Sequence, residues 1–251
     1  MIWVLSGTRD SVEIIKLLKK EKYRVLASAV TNYGASLARD AGADEVVAKA
    51  LDCNEMRDML HKKNIEAVVD AAHPFAVDAS KNAIRACTDS HVKYIRFERE
   101  NTNIPSDGRI YIAKDFGDAA KKATKFETIF YTAGSKNLEL FLNEARKKKK
   151  RIVVRVLPDI RVIKRCIELG IEPVDIIAMQ GPFSIELNKA MMREYSASVL
   201  VTKESGEVGG TESKIRAALD LDMPVILIER PKLDYDIVVQ DYEEVLKEVK
   251  E

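Results

Sequence analysis

Short apolar runs alternate with amphipathic stretches along nearly the whole chain. In the first part, strands are predicted at Ile2–Leu5, Arg24–Val30, Glu45–Ala48, Ala67–Ala71 and Lys93–Phe97. Helices are predicted between them at Ser11–Lys20, Gly34–Ala41, Asn54–Lys63 and Ala76–Ser90. The strands are rich in Val and Ile on both faces, the pattern of parallel strands covered on two sides. The right-handed crossover rule then favours a doubly wound sheet. Glu98–Arg109 is polar, with Asn101, Asn103, Pro105 and Gly108, and reads as a linker. The scheme then repeats. Strands are predicted at Arg109–Ala113, Thr128–Thr132, Ile152–Val156, Ile176–Met179, Ser198–Thr202 and Pro224–Ile228. Helices are predicted near Phe116–Lys125, Leu138–Lys149, Arg161–Leu169, Ser184–Glu194, Thr211–Leu219 and Tyr242–Lys250. The expectation is two α/β domains, residues 1–100 and 101–251. A faint echo supports it: Ile2-Trp-Val-Leu-Ser-Gly-Thr-Arg-Asp10 resembles Ile129-Phe-Tyr-Thr-Ala-Gly-Ser-Lys-Asn137.

Composition narrows the classes. Lys plus Arg (41) nearly balance Asp plus Glu (40) over 251 residues, a net charge of +1. That argues against a nucleic-acid binder relying on bulk charge, and leaves room for a locally basic cleft. There is no apolar run of about 18 residues, so no membrane span is expected. The start, Met1-Ile-Trp-Val-Leu-Ser-Gly7, is a short strand without the form of a signal peptide. Cys53, Cys87 and Cys166 are scattered, which suggests a reducing cytoplasm and neither a disulfide frame nor a metal knuckle. The three histidines lack ligand spacing, and no zinc site is expected.

Candidate chemistry sits at strand ends. The stretch Leu200–Lys214 runs from a strand through Lys203, Ser205, Gly206, Gly209 and Gly210 into a helix that opens with Thr211. Such a loop offers backbone N–H groups to an anion, and Lys203 and Lys214 add charge at its ends. The plainer alternative is a flexible connection with a capped helix. Ser6-Gly7-Thr8 lies between the first strand and first helix, where dinucleotide-binding sheets hold a pyrophosphate. Gly7 stands alone, without the full glycine fingerprint, so a plain tight turn competes with a phosphate site. Thr31 and Asn32 end the second strand without the acid that usually holds the ribose of NADH, which favours NADPH, with NADH as the alternative. His73, before Pro74, falls near the carboxyl edge of the sheet, or packs locally. Lys136, Arg155, Lys203, Lys214 and Arg230 form a basic set suited to a polyanionic small ligand, or are separate solvated charges. No Ser-His-Asp grouping, Walker motif or paired-carboxylate motif is present.

Taken in order, Gly7-Thr8, Asp70-Ala-Ala-His-Pro-Phe-Ala76, Arg96-Phe-Glu-Arg99, Thr132-Ala-Gly-Ser135, Gly181-Pro-Phe183, Val201-Thr-Lys-Glu-Ser205 with Gly206, and Ile228-Glu-Arg-Pro231 give a pattern that resembles the precorrin-6A reductases of cobalamin biosynthesis. The chain departs from that pattern at Arg9-Asp10-Ser11-Val12, and in having Ala72 where many relatives have Thr. The resemblance implies two Rossmann-like domains with a ligand cleft between them. It implies NAD(P)H-dependent reduction of one double bond of a precorrin-6A macrocycle, metal-free or cobalt-containing, to precorrin-6B. Ser6, Gly7, Thr8, Thr31, Asn32, Ala71, His73 and Pro74 are the expected cofactor residues. Ser135, Lys136, Arg155, Gly181, Ser205, Gly206, Thr211 and Lys214 are the expected substrate residues, with Lys203 orienting or protonating the macrocycle. Hydride transfer needs no protein nucleophile, which fits the missing nucleophilic motifs. A tetrapyrrole rich in carboxylates fits the cations. Another NAD(P)-dependent reductase, or a non-enzymatic nucleotide- or anion-binding module, are the alternatives. The sequence gives no oligomeric state.

Overall fold

The computed structural model describes residues 1–99, 104–206 and 210–251. Asn101 and Asn103 of the expected linker, and Gly209 of the expected glycine loop, lie outside them. The chain divides into two units, one of Met1–Glu100 with Pro231–Glu251, the other of Asn101–Arg230.

The first unit opens with β1 (Ile2–Leu5), α1 (Arg9–Lys20), β2 (Val25–Ser28), α2 (Asn32–Asp40), β3 (Glu45–Val47), α3 (Cys53–Lys62), β4 (Ala67–Asp70), α4 (Val77–Ser90) and β5 (Lys93–Phe97). β1 shows why the sheet is covered twice. Ile2 and Val4 pack with Ile14, Ile15 and Leu18 on one face. Trp3 and Leu5 pack with Leu26, Met56 and Leu60 on the other. Period-two alternation between two apolar faces demands a layer on each. α1 and α2 begin two residues earlier than expected, because Thr8 and Thr31 act as N-caps, accepting from Ser11 N and Gly34 N.

The second unit contains β6 (Ile110–Ala113), α5 (Phe116–Ala123), β7 (Thr128–Tyr131), α6 (Leu138–Lys147), β8 (Arg151–Val156), α7 (Ile160–Glu168), β9 (Ile176–Ala178), α8 (Ile185–Glu194), β10 (Val199–Lys203), α9 (Thr211–Leu219) and β11 (Val225–Ile228). After it, β12 (Val238–Val239) and α10 (Tyr242–Lys250) return to the first unit.

Both sheets have six strands, all paired in parallel, in the orders β12-β5-β4-β1-β2-β3 and β6-β11-β10-β7-β8-β9. The two orders are one plan: β1, β2, β3, β4 and β5 correspond to β7, β8, β9, β10 and β11. The edge strand differs in origin, since β12 follows the second unit in sequence whereas β6 is the first strand of its own unit. The sequence echo falls on β1 and β7, the equivalent central strands.

The expected boundary at residues 101–251 therefore needs correction, because residues 231–251 pack on the first unit. Val239, Val245, Ile237 and Tyr242 join the apolar cluster on α1 and β5. Ile237 O and Val239 O accept from Arg96 N and Glu98 N at 2.9 Å, so the tail extends the sheet. A two-residue strand is too short to leave a periodic signal, and helix α10 gave no clue to which sheet it covers.

Candidate functional site

In the first unit, the chain leaves β1 in one direction and β4 in the other, so a crevice opens at their carboxyl ends. Gly7 sits there with φ +140°, a conformation side chains rarely adopt, and a Cβ on it would meet nothing within 4 Å. That open space in front of an obligatory glycine is what a pyrophosphate needs at such a turn. The turn is held from behind. Ser11 Oγ accepts from Gly7 N at 3.2 Å and Thr8 N at 3.3 Å, and shares a proton with Ser6 Oγ at 2.7 Å. Thr8 Oγ1 accepts from Ser11 N and donates to Ala71 O at 2.8 Å. Thr8, one of the expected cofactor residues, thus gives its hydroxyl proton to Ala71 O. Thr31 caps α2 and Asn32 is exposed, and neither is an acid. Ser6–Thr8 and Ala71–Pro74 are joined by the Thr8 bond, and Ser6 N donates to Ser28 O at 2.7 Å at the end of β2. His73 Nδ1 accepts from Phe75 N at 3.2 Å, so it shapes its own turn.

Beneath that turn lies a buried polar network missed by the sequence reading. Asp70, fully buried at the end of β4, accepts from Ala72 N at 2.9 Å, Ser80 Oγ at 2.6 Å, Tyr94 OH at 2.6 Å and Arg96 Nη1 at 3.1 Å. Arg96, also buried, donates to Ala72 O at 3.0 Å and lies 5.5 Å from the ring centroid of Tyr235 in the returning tail. Burial and then the Asp70 carboxylate push the Tyr94 phenol far above its usual range, so it remains a donor. The signal available was an acid closing an otherwise apolar strand.

In the second unit, the corresponding crevice lies at the carboxyl ends of β7 and β10. Gly134 follows β7 with φ +81°, and Lys203 Nζ lies 3.7 Å from where its Cβ would stand. Ser135 O accepts from Leu138 N at 3.3 Å at the entry to α6, and Lys136 beside it is exposed. Burial pulls the Lys203 ammonium down to about 8. Arg155 on β8 is buried, with Nη1 donating to Asn188 Oδ1 at 2.7 Å and the guanidinium 4.5 Å from the Phe183 ring and 5.6 Å from the Phe130 ring. Desolvation lowers it to about 10. Lys214, one turn into α9, is buried too, and desolvation followed by the charges of Arg155 and Lys203 lowers it to about 7. Among the described residues, no carboxylate pairs with Arg155 or Lys214. The turn at Gly181 reaches the same place: Pro182 lies 3.6 Å from a Cβ built on Gly210, before α9.

Two of the expected substrate residues prove to be braces. Thr211 is fully buried; its Oγ1 accepts from Ser205 N at 3.2 Å, bonds Ser205 Oγ at 3.0 Å and donates to Lys203 O at 3.1 Å. It staples the two ends of the loop, and because its hydroxyl proton goes to Lys203 O it is not free to donate to a carboxylate, which corrects its expected role. Gly206, at φ +75°, gives its N–H to Glu204 Oε1 at 3.1 Å. Arg230, expected among the cations, pairs with Glu204 Oε2, a carboxylate that the motif reading passed over.

The family model described as Precorrin-6x reductase CbiJ/CobK matches residues 1–250. A cobalt-precorrin-6A reductase of Methanocaldococcus jannaschii is 42% identical over 246 residues, 97% of this chain and 96% of the relative. One of Priestia megaterium is 36% identical over 247 residues, 98% of this chain and 96% of the relative. Among solved structures, a CobK precorrin-6A reductase superposes with a TM-score of 0.80 at 22% identity, covering 98% of this chain and 94% of that one, which supports the fold.

Proposed function

The chain belongs to the CbiJ/CobK family of precorrin-6x reductases, and from that premise we propose that it reduces cobalt-precorrin-6A with NADPH, using the residues described above. It is an oxidoreductase of cobalamin biosynthesis. The cobalt-containing substrate is favoured by the names of the relatives it resembles at 42% and 36% identity. NADPH is favoured by Thr31 and Asn32: no carboxylate there opposes a 2′-phosphate. When bound, the dihydronicotinamide supplies the hydride. The open face of Gly7 receives the pyrophosphate, while Thr8, Ser11 and the Ala71–Pro74 turn hold that face in place. Ser135, Gly181 and Ser205 shape the turns around the cations of the second unit. Lys203 orients the macrocycle and delivers the proton that accompanies the hydride. With its ammonium lowered to about 8, it is charged at neutral pH yet gives up its proton more readily than an ordinary lysine.

The observation that carries the reading is the buried pair Arg155 and Lys214 with no carboxylate partner among the described residues. Such a pair is costly for the fold and suits a substrate bearing many carboxylates. Cytoplasmic residence fits this reading, with Cys53, Cys87 and Cys166 as free thiols. The test is to mix purified protein, NADPH and cobalt-precorrin-6A and follow loss of the reduced nicotinamide absorbance. Absence of turnover with either NADPH or NADH would refute it.

A further inference from the structure

Parallel register sets three polar side chains in one row across the second sheet. Val201 pairs with Tyr131, and Tyr131 with Val154, so the next residues, Thr202, Thr132 and Arg155, are level. Side chains two apart share a face. Leu200 and Val153 belong to the apolar cluster that also holds Phe130, Met191 of α8 and Ile215 of α9. Thr202 and Arg155 therefore cap that cluster on the same face, two strands or about 10 Å apart at their Cα atoms. Thr202 is fully buried, and among the described residues its Oγ1 has no hydrogen-bond partner. Buried hydroxyls nearly always have one. On α9, Lys214 is buried and stands one turn before Ala217 and Ala218 of the same apolar cluster, within range of the Arg155 charge.

We propose that this layer is a receptor for one carboxylate arm of the substrate: Arg155 supplies fixed charge, the Thr202 hydroxyl donates, and Lys214 takes up a proton as the arm arrives. The inference rests on the functional reading above and specifies how its substrate is held. Among the described residues, the charged groups acting on Lys214 are Arg155 from β8 and Lys203 from β10. Asn188 is the polar group that α8 presents to Arg155, while Lys189 of α8 pairs with Asp220 at 2.5 Å. Glu204 is paired with Arg230. Lowered to about 7 by burial and its cationic neighbours, Lys214 is largely neutral at pH 8. An arriving carboxylate favours the ammonium, so binding there consumes a proton.

The experiment is calorimetric titration of the full chain with cobalt-precorrin-6A at pH 8, in two buffers of different ionisation heat, with steady-state kinetics alongside. For Lys214→Met, proton uptake should fall by up to about one proton. KM should rise about tenfold, with kcat and NADPH affinity held within about threefold. Thr202→Val, nearly isosteric, should raise KM severalfold without changing proton uptake. Lys214→Met should melt no lower than the parent, because it replaces a buried cation by an apolar chain of similar length; a structural lysine would give the opposite. A Lys214→Met protein with the parent's proton uptake and KM, or one that melts clearly lower, would overturn the inference while leaving the reductase reading intact. A parent chain that neither binds nor reduces the macrocycle would overturn both.

Discussion

Asp70→Asn tests the framework of the first unit. The substitution keeps the shape and the bond from Ala72 N, but removes the charge facing Arg96 Nη1 at 3.1 Å. Arg96 is 1% exposed, and its remaining carboxylate is Glu98, 3.3 Å from Nε and 19% exposed. Ser80 and Tyr94 would also face an amide, one side of which is a donor. Breaking a buried pair from one side costs about 3 to 5 kcal/mol. Glu98 offsets part of that, so a loss of about 3 kcal/mol is expected, or roughly 6 to 12 °C in Tm for a chain of this size. Trp3, the chain's sole tryptophan, is buried in the same unit, and its fluorescence reports urea unfolding there. Adding Arg96→Met should recover part of the loss, because the buried guanidinium that lost Asp70 is then gone and the Glu98 it leaves is partly exposed. A loss below about 1 kcal/mol, or a double variant weaker by the simple sum, would refute the reasoning.

Gly7→Val should fold, at a cost of about 1 to 3 kcal/mol for a side chain at positive φ, yet lose NADPH affinity by tenfold or more, measured by fluorescence titration of the cofactor. Asn32→Asp should move the ratio of kcat/KM values towards NADH, since a carboxylate repels a 2′-phosphate and accepts from a 2′-hydroxyl; an unchanged ratio contradicts the assignment. Lys203→Ala should lower turnover or substrate affinity about tenfold or more, roughly 1.4 kcal/mol, with NADPH affinity nearly unchanged. In the parent, turnover should fall as pH rises through about 8, where Lys203 loses its proton. Stability should move the other way. Lys203 and Lys214 have lowered values in the fold against an ordinary 10.5, so the unfolded chain binds more protons between about 7 and 10.5, and stability climbs across that window.

The alternating Val and Ile runs carried most of the fold, because strands buried on two faces repeat the same few residue types. The edge assignments were less legible. Val238 and Val239 make too short a run to register, and nothing in Tyr242–Lys250 says that it packs near α1 instead of beside its sequence neighbours. At the site, glycines and cations at strand ends were visible as types, since Gly7, Gly134, Lys203 and Arg155 occupy turns or strand termini. What they touch was not. Thr8 and Thr211 look like ligand donors in one dimension, yet each spends its hydroxyl on a backbone carbonyl, Ala71 O and Lys203 O. Asp70 and Glu204 were passed over because a counterion that cancels a buried charge comes from another strand or turn. Thr202 gave no signal, being one threonine in an apolar run.

The shared topology sets two equivalent positions side by side. Asp70 closes β4 and Lys203 closes β10, the matching strand. The neighbour of Asp70 on β5 is Arg96; the neighbour of Lys203 on β11 is Ile228. The first unit thus cancels its buried charge with an adjacent strand, and the result is rigid support beneath a glycine turn. In the second unit that strand offers an apolar residue, and further cations, Arg155 and Lys214, gather on the neighbouring face. Among the described residues no carboxylate pairs with Arg155 or Lys214, whereas Asp70 is paired with Arg96. On the proposed function, the difference in charge treatment, on one architecture, gives support to the strand-end charge of the first unit and ligand recognition to the cations of the second.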